Sequence, residues 1–430
     1  MAVFAEEIVT WVEEAERQVA EQFRVIDRIA DRNQWKVIEA FQRHQVSDYH
    51  FAGSTGYGYN DRGREVLDLV YADVFGAEAA LVRPHFASGT HTIATALFGV
   101  LRPGDELLYI SGTPYDTLHK VIGEPGDGTG SLQDFGIRYD EVALLENGEI
   151  DWDSVKAKLN KRTKVIGIQR SRGYDWRDSF TVAQIGEMVR KVKEMRSDCI
   201  VFVDNCYGEF AEELEPTQVG VDLMAGSLIK NPGGGLAETG GYICGRTDLV
   251  ELSSYRLTAP GIGGEVGAML GTTRGIYQGL FLAPTTVGQA VKGSILAAAV
   301  FERAGFESRP RWNADRLDSG DCIQRPGAAD CFCTRDSARR GCGRLRCAGG
   351  LGHAGVRASC NYGGRHLHSR GQPGIVCRRS CTRALHRLHA GRINLLTRQI
   401  RPINGLANDE GSKFIIRKPY MLVDMSGYLT

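Results

Sequence analysis

The sequence Ala-Gly-Ser-Leu-Ile-Lys-Asn-Pro-Gly-Gly-Gly at residues 225–235 places one lysine, Lys230, between an apolar segment and a glycine-rich turn. Because this turn sequence breaks any helix, Lys230 is predicted to lie where a loop meets a packed element. Burial lowers the pKa of a lysine amine towards that of a free nucleophile, which suits a Schiff-base lysine. A lysine in an ordinary flexible surface loop is the alternative that this stretch alone leaves open.

The rest of the chain around Lys230 alternates between strands and helices. Strands are predicted at residues 79–83, 106–110, 164–168 and 199–203, and helices at residues 92–101, 154–159 and 182–195. This alternation predicts an α/β fold with a mostly parallel sheet covered on both faces. Ligands bind at the carboxyl ends of the strands in that architecture, so the residues that follow each strand are candidate site residues.

Three candidates stand at such positions. Ser88, Gly89 and Thr90 form a turn at a helix start, which either presents amides and hydroxyls to an anion or simply caps the helix. Tyr115 follows the second strand and offers an aromatic ring to a flat cofactor or to the core. Asp204 follows a buried strand, where a carboxylate suits a protonated ring nitrogen, a metal ion or a strand-end cap.

The N-terminal part contains a further phosphate-binding candidate. Residues 53–65 form a glycine-rich loop that leads into a helix, and Tyr59 and Arg62 in it can hold a phosphate through a hydroxyl and a guanidinium. An ordinary turn is the alternative. Apolar residues at helical spacing before this loop predict an N-terminal helical arm over residues 1–50, which packs on the body or on a partner subunit.

The composition excludes some classes of function. The 52 basic and 52 acidic residues balance, so the net charge favours neither nucleic acid nor an anionic membrane as a partner. The apolar run at residues 282–300 is interrupted by Gln289 and Lys292, which predicts a buried helix and no membrane span. The acidic start of the chain is unlike a secretory signal, and a cytoplasmic location is expected.

As a set, these motifs resemble the fold-type I pyridoxal-phosphate (PLP) enzymes of the Cys/Met-metabolism branch. The sequence is most similar to the group known as methionine gamma-lyase-like or aluminium resistance proteins. The resemblance covers about the first three quarters of the chain, and it is carried by residues 57–64, 83–91, 169–174, 203–210 and 227–235.

The resemblance implies an aspartate aminotransferase-like fold with a large PLP-binding domain at residues 51–280 and a small C-terminal domain. It also implies that Lys230 forms the internal aldimine and moves the substrate Cα proton, while Asp204 pairs with the pyridine nitrogen and Tyr115 stacks on the ring. The implied phosphate ligands are Ser88, Gly89, Thr90 and Ser227, with Tyr59 and Arg62 completing the clamp from a neighbouring subunit. The branch has Tyr-x-Arg in that loop, whereas two residues separate Tyr59 and Arg62 here.

The implied activity is that of a carbon–sulfur lyase acting on a small sulfur-containing amino acid, similar to methionine gamma-lyase or cystathionine lyase. The implied assembly is a homo-oligomer, a dimer or tetramer, with the active site at the subunit interface. The implied active site contains no metal ion. The residues do not select β- or γ-elimination. An aminotransferase and a non-catalytic stress-associated protein that kept the fold are the alternatives.

The composition changes sharply near Asn313. Eight of the eleven cysteines follow it, and no Asp or Glu occurs from residue 337 to residue 408. Residues 281–313 are expected to link to the small domain, and residues 314–430 to be an out-of-frame tail, because residues 315–323 and 360–371 give family-like sequences when the codons are read one base later. The cysteine spacings do not match the paired Cys-x2-Cys sets of a zinc site. The arginine that binds the substrate carboxylate in this branch lies in the C-terminal domain, and no residue here can be assigned to it.

Overall fold

The computed structural model describes residues 6–126, 128–173, 177–303, 305 and 308. The strands in chain order are β1 (Ala79–Arg83), β2 (Glu106–Tyr109), β3 (Arg138–Glu141), β4 (Thr163–Gln169), β5 (Ile200–Asp204), β6 (Leu223–Ser227) and β7 (Gly241–Gly245). The helices are α1 (Glu6–Gln18), α2 (Ala20–Arg43), α3 (Arg62–Phe75), α4 (Gly89–Val100), α5 (Asp116–Ile122), α6 (Trp152–Lys158), α7 (Val182–Met195), α8 (Thr247–Leu257) and α9 (Thr273–Arg303). None of these helices is long and apolar enough to cross a membrane.

The strands form one sheet of seven in the order β1-β7-β6-β5-β4-β2-β3. Strand β7 runs antiparallel to both of its neighbours, β1 and β6, and every other pair is parallel. Because β7 reverses direction between β1 and β6, those two strands run in the same direction as β4 and β5. The carboxyl ends of β1, β2, β4, β5 and β6 therefore lie along one edge of the sheet.

Helices cover both faces of this sheet, as the apolar residues of β5 show. Val201 and Val203 belong to a core cluster with residues of α3 and α7, whereas Ile200 and Phe202 belong to a second cluster with residues of α4, α5 and α8. Side chains alternate between the two faces along a strand, so an unbroken apolar strand must be buried on both sides. The short sequence Ile-Val-Phe-Val before Asp204 thus places that carboxylate at the edge of a fully buried strand.

The described chain falls into two compact units. Residues 22–292 contain the whole sheet and all the helices that cover it. Residues 6–21 and 293–303 belong to the other unit, in which Glu14 and Arg303 form an ion pair.

The strands predicted near residues 79, 106, 164 and 199 are all present, within two residues of the expected bounds. The predicted helix at 92–101 begins three residues earlier, at Gly89, because Ser88 caps it. Strands β3, β6 and β7 and helices α5 and α8 were not predicted individually. The predicted tail at 314–430 lies outside the described residues.

Candidate active site

The predicted site residues follow strands whose carboxyl ends lie at the same edge of the sheet. Asp204 ends β5 and Ser227 ends β6, while Ser88 follows β1 and Tyr115 follows β2. Lys230 follows β6 by three residues and precedes a single 3-10 turn at Asn231–Gly233. It lies where a loop meets a packed element, as the sequence predicts.

The turn at Ser88, Gly89 and Thr90 begins helix α4. The Ser88 hydroxyl caps the helix by accepting a hydrogen bond from the His91 N–H at 3.1 Å. A Cβ atom at Gly89 would lie 3.4 Å from both the Ser227 Cβ and the Cys206 Sγ. The turn therefore packs against the ends of β5 and β6, and the amide-rich start of a 12-residue helix points to the same edge as Ser227.

Tyr115 is fixed to this turn and to β4. Its hydroxyl donates a hydrogen bond to the Thr90 Oγ1 at 3.1 Å, and its backbone N–H donates to the Gln169 Oε1 at 2.9 Å. Burial, and next the nearby Asp204 carboxylate, raise the pKa of Tyr115 above its usual value. The hydroxyl therefore stays protonated at neutral pH and acts as a donor.

The Asp204 side chain is 2% exposed. Its Oδ1 accepts a hydrogen bond from the Cys206 N–H at 3.1 Å. Burial raises the pKa of this carboxyl group, whereas the Lys230 cation and the Cys206 N–H lower it. A buried carboxylate that depends on cations in this way is suited to hold a proton on a ring nitrogen.

The Lys230 amine lies over the ring of Tyr207, with Nζ 3.9 Å from the ring centroid. Lys230 also interacts electrostatically with Asp204 and Tyr115. The Lys230 cation thus lies close enough to the predicted aspartate and tyrosine to lower the pKa of both groups.

Tyr59 lies in the loop before α3 and Arg62 is the first residue of that helix; both are exposed. The Tyr59 side chain is 60% exposed and packs near Tyr57, and Arg62 forms an ion pair with Glu65 at 3.6 Å. The buried arginine of this region is Arg64, whose guanidinium donates hydrogen bonds to the carbonyl oxygens of Gly58, Glu265 and Gly267. Arg64 therefore fixes the loop to the start of α3, and Tyr59 and Arg62 remain on the surface of this region.

A buried polar network lies beside Lys230, and sequence reasoning did not identify it. Arg170 is fully buried and donates hydrogen bonds to the Asn205 Oδ1 and the Glu212 Oε1, both at 2.7 Å. The Tyr242 hydroxyl donates to the Glu209 Oε1 at 2.7 Å. The signal in the sequence was the spacing of Glu209, Glu212 and Glu215 directly after a buried strand, where a solvated helix face is not available.

These residues fit pyridoxal phosphate. Gly89 leaves no side chain between Ser227 and the start of α4, where a phosphate would be held. Asp204 supplies a buried carboxylate for the ring nitrogen, and Tyr115 supplies a half-buried ring beside it. Lys230 supplies an amine that is electrostatically coupled to both.

The family model for methionine gamma-lyase matches residues 8–329. The chain therefore belongs to the methionine gamma-lyase family, a family of PLP-dependent carbon–sulfur lyases. It is 57% identical over 306 residues to the uncharacterized Bacillus subtilis protein YnbB. This match covers 71% of this chain and 73% of YnbB.

Two solved structures are similar to the chain in both sequence and fold. One is a Listeria innocua protein that is described, provisionally, as a cystathionine beta-lyase involved in aluminium resistance; it has 57% identity and a TM-score of 0.71, over 73% of this chain and 77% of that protein. The other is a carbon–sulfur lyase of Clostridium novyi involved in aluminium resistance, with 49% identity and a TM-score of 0.70, over 73% of this chain and 75% of that one. The predicted family and the predicted fold-type I α/β class are confirmed.

Proposed function

We propose that this chain is a PLP-dependent carbon–sulfur lyase that acts on a sulfur-containing amino acid. The observation that carries the proposal is the meeting of Lys230, Asp204 and Tyr115 at one edge of the sheet, beside the turn at residues 88–90. Bound pyridoxal phosphate supplies an electron sink for the charge left when an amino acid loses its Cα proton.

Each residue then has a distinct role. The Lys230 Nζ would hold the cofactor and, as a free amine, would accept the substrate Cα proton. The Asp204 carboxylate would hold the proton on the ring nitrogen, and Tyr115 would stack on the ring. The phosphate ligands in this proposal are Ser88, Gly89, Thr90 and Ser227. The leaving group is the sulfur on Cβ or Cγ, which departs with the electron pair of the C–S bond.

The exposure of Tyr59 and Arg62 supports a shared site. Tyr59 lies on the surface of a loop that Arg64 holds in place, and Arg62 lies on the surface of the first turn of α3, so both are available to a second copy of the chain. We propose a homo-oligomer, a dimer or tetramer, in which these two residues complete the phosphate clamp of the neighbouring subunit.

The cofactor experiment uses the full chain and a matched lysine control. Purified protein is mixed with pyridoxal phosphate and passed through a desalting column. We expect the wild type and Lys161→Ala, which removes an exposed lysine, to retain visible absorption, and Lys230→Ala to lose it. A colourless wild-type protein would favour a non-catalytic protein that kept the fold.

The same preparation then tests the reaction class. Methionine, cystathionine and cysteine are added in turn, and ammonia and oxoacid are assayed. A lyase releases both products from at least one of these amino acids. If the amino group is instead transferred to an added oxoacid without release of ammonia, the protein is an aminotransferase and the lyase proposal is wrong.

A further inference from the structure

The backbone of Tyr207 has a conformation that non-glycine residues rarely adopt. Its φ angle is 69°, in the left-handed region. A bulky side chain costs conformational energy there, and such residues persist only where the surrounding structure fixes them. The ring that this conformation presents lies 3.9 Å from the Lys230 Nζ, measured to the ring centroid.

The turn that carries Tyr207 is fixed on both sides. The Asn205 N–H donates to the Ala225 carbonyl at 3.0 Å, and the Asn205 Oδ1 accepts from the fully buried Arg170. A Cβ atom at Gly208 would lie 2.4 Å from the Arg170 Nη1, so a larger residue cannot replace this glycine without displacing Arg170. The fully buried network thus holds Tyr207 in its left-handed conformation.

The same network holds the segment that carries Lys230. The side-chain amide of Asn231 donates to the Glu209 carbonyl oxygen at 2.9 Å, two residues along the chain from Tyr207. The Glu209 carboxyl group in turn accepts from the Tyr242 hydroxyl on β7. The ring and the amine are therefore held towards each other by contacts at both ends.

We propose that Tyr207 is a positioning residue for Lys230. The face of its ring carries negative charge density and favours the ammonium form of the amine over the neutral form. The ring holds that ammonium whenever the amine is not bonded to the cofactor. This role rests on the proposed function, since it affects turnover only if Lys230 leaves the cofactor and returns to it.

The test measures the reactivity of Lys230 in the cofactor-free full chain. A trace of acetic anhydride is added between pH 7 and pH 11, and acetylation of Lys230 is quantified by mass spectrometry against the exposed Lys161. Tyr207→Leu removes the ring, and Tyr207→Phe keeps it. We expect Tyr207→Phe to match the wild type, and Tyr207→Leu to react on the order of fivefold faster at the low end of this range, the factor that a partly desolvated cation–π contact corresponds to.

The pH range distinguishes the electrostatic effect of the ring on the labelling rate from its steric effect. A purely steric effect accelerates labelling at every pH, whereas a cation–π effect disappears once the amine is deprotonated. Both Tyr207 variants keep the titratable groups that interact electrostatically with Lys230, among them Asp204, Cys206, Glu209 and Tyr115. If the acceleration persists at pH 11, or if Tyr207→Phe behaves like Tyr207→Leu, the proposal is wrong.

A second variant guards against misfolding. Asn tolerates a left-handed backbone better than Leu and has no aromatic face, so Tyr207→Asn gives the same expected result with less strain. The labelling experiment needs no cofactor. Failure of the protein to take up pyridoxal phosphate would therefore count against the proposed function, whereas unchanged labelling of Lys230 in both ring-deleted variants would count against the role of Tyr207.

Discussion

The carboxyl group of Glu209 is fully buried, and among the described residues its Oε2 has no hydrogen-bond partner. Burial raises the pKa of Glu209 to about 8, although the Tyr242 hydrogen bond and the Lys230 cation lower it. At neutral pH this side chain is therefore largely a neutral acid. It takes part in the network beside Lys230 without adding a second full negative charge to that of Asp204.

This raised pKa makes a prediction about stability. The folded protein binds a proton at Glu209 that the unfolded chain releases near pH 4.5, so the stability contributed by this group falls as pH rises from about 4.5 to about 8. Each unit of difference in pKa corresponds to about 1.4 kcal/mol. We expect Glu209→Gln, which stays neutral, to lose less free energy of unfolding than the wild type between pH 5 and pH 9 in urea titrations.

The control is Glu146→Gln, which changes an exposed glutamate and should follow the wild type across this range. If Glu209→Gln loses as much stability as the wild type between pH 5 and pH 9, the carboxyl group is ionised throughout and its burial is not the cause proposed here.

At the level of single residues, the sequence predicts those with a distinctive local signal. Lys230 precedes a turn that excludes a helix, and Asp204 ends an unbroken apolar strand. Tyr207 has no such signal, and the carboxylate spacing after β5 indicates that Glu209 is buried without showing what it contacts. The roles of both residues come from Arg170 and Tyr242, which lie far away along the chain. Contacts of that kind depend on how the strands are ordered in the sheet.

At the level of elements, the sequence does not predict strands β6 and β7, and their composition explains why. Strands β6 and β7 are short and glycine-containing, and each has few β-branched residues. Glycine lowers strand propensity, so neither segment stands out from a loop. Strand β6 is nevertheless fully buried, because β5 and β7 pair with it on both sides.

Helix α9 packs closely against the loop that follows Lys230. A Cβ atom at Gly279 of α9 would lie 2.2 Å from the Gly233 carbonyl oxygen, and the Gly233 N–H donates to the Lys230 carbonyl. Two glycines thus allow a helix to touch the backbone of the loop that follows Lys230.

Gly279→Ala is predicted to push α9 and the lysine loop apart. Overpacking of this kind costs roughly 1–3 kcal/mol, and we expect the free energy of unfolding in urea to fall by about that amount, with weaker retention of pyridoxal phosphate. Gly293→Ala is the matched control in the same helix, because a Cβ atom there has no neighbour within 4 Å. It should stabilise the protein by about 0.5–1 kcal/mol through helix propensity. Equal effects of the two substitutions would contradict the packing argument.

At the level of the whole molecule, the chain divides by composition near Asn313. The residues before it contain every predicted cofactor ligand, and all of these except Tyr59 and Arg62 lie at or after strand ends on one edge of the sheet. After it, cysteines and arginines are more frequent, and residues 337–408 contain no Asp or Glu. The family match continues shortly beyond this point, to residue 329. We therefore infer that the change near Asn313 leaves cofactor binding intact and weakens turnover.

The prediction is that this chain binds pyridoxal phosphate fully but turns over substrate poorly. An arginine that grips the substrate carboxylate by two parallel hydrogen bonds holds the Cα proton in line for removal, and misplacement of a substrate costs about a hundredfold in rate. A second chain is made from the same DNA with the frame shifted by one base after the Asn313 codon. We expect both chains to retain the cofactor equally, and the frame-shifted chain to release ammonia and oxoacid at least about a hundredfold faster from the best of methionine, cystathionine and cysteine. Equal rates from the two chains, or a source DNA that runs through this region in one uninterrupted frame with no missing or extra base, would refute the frame change as the cause of weak turnover.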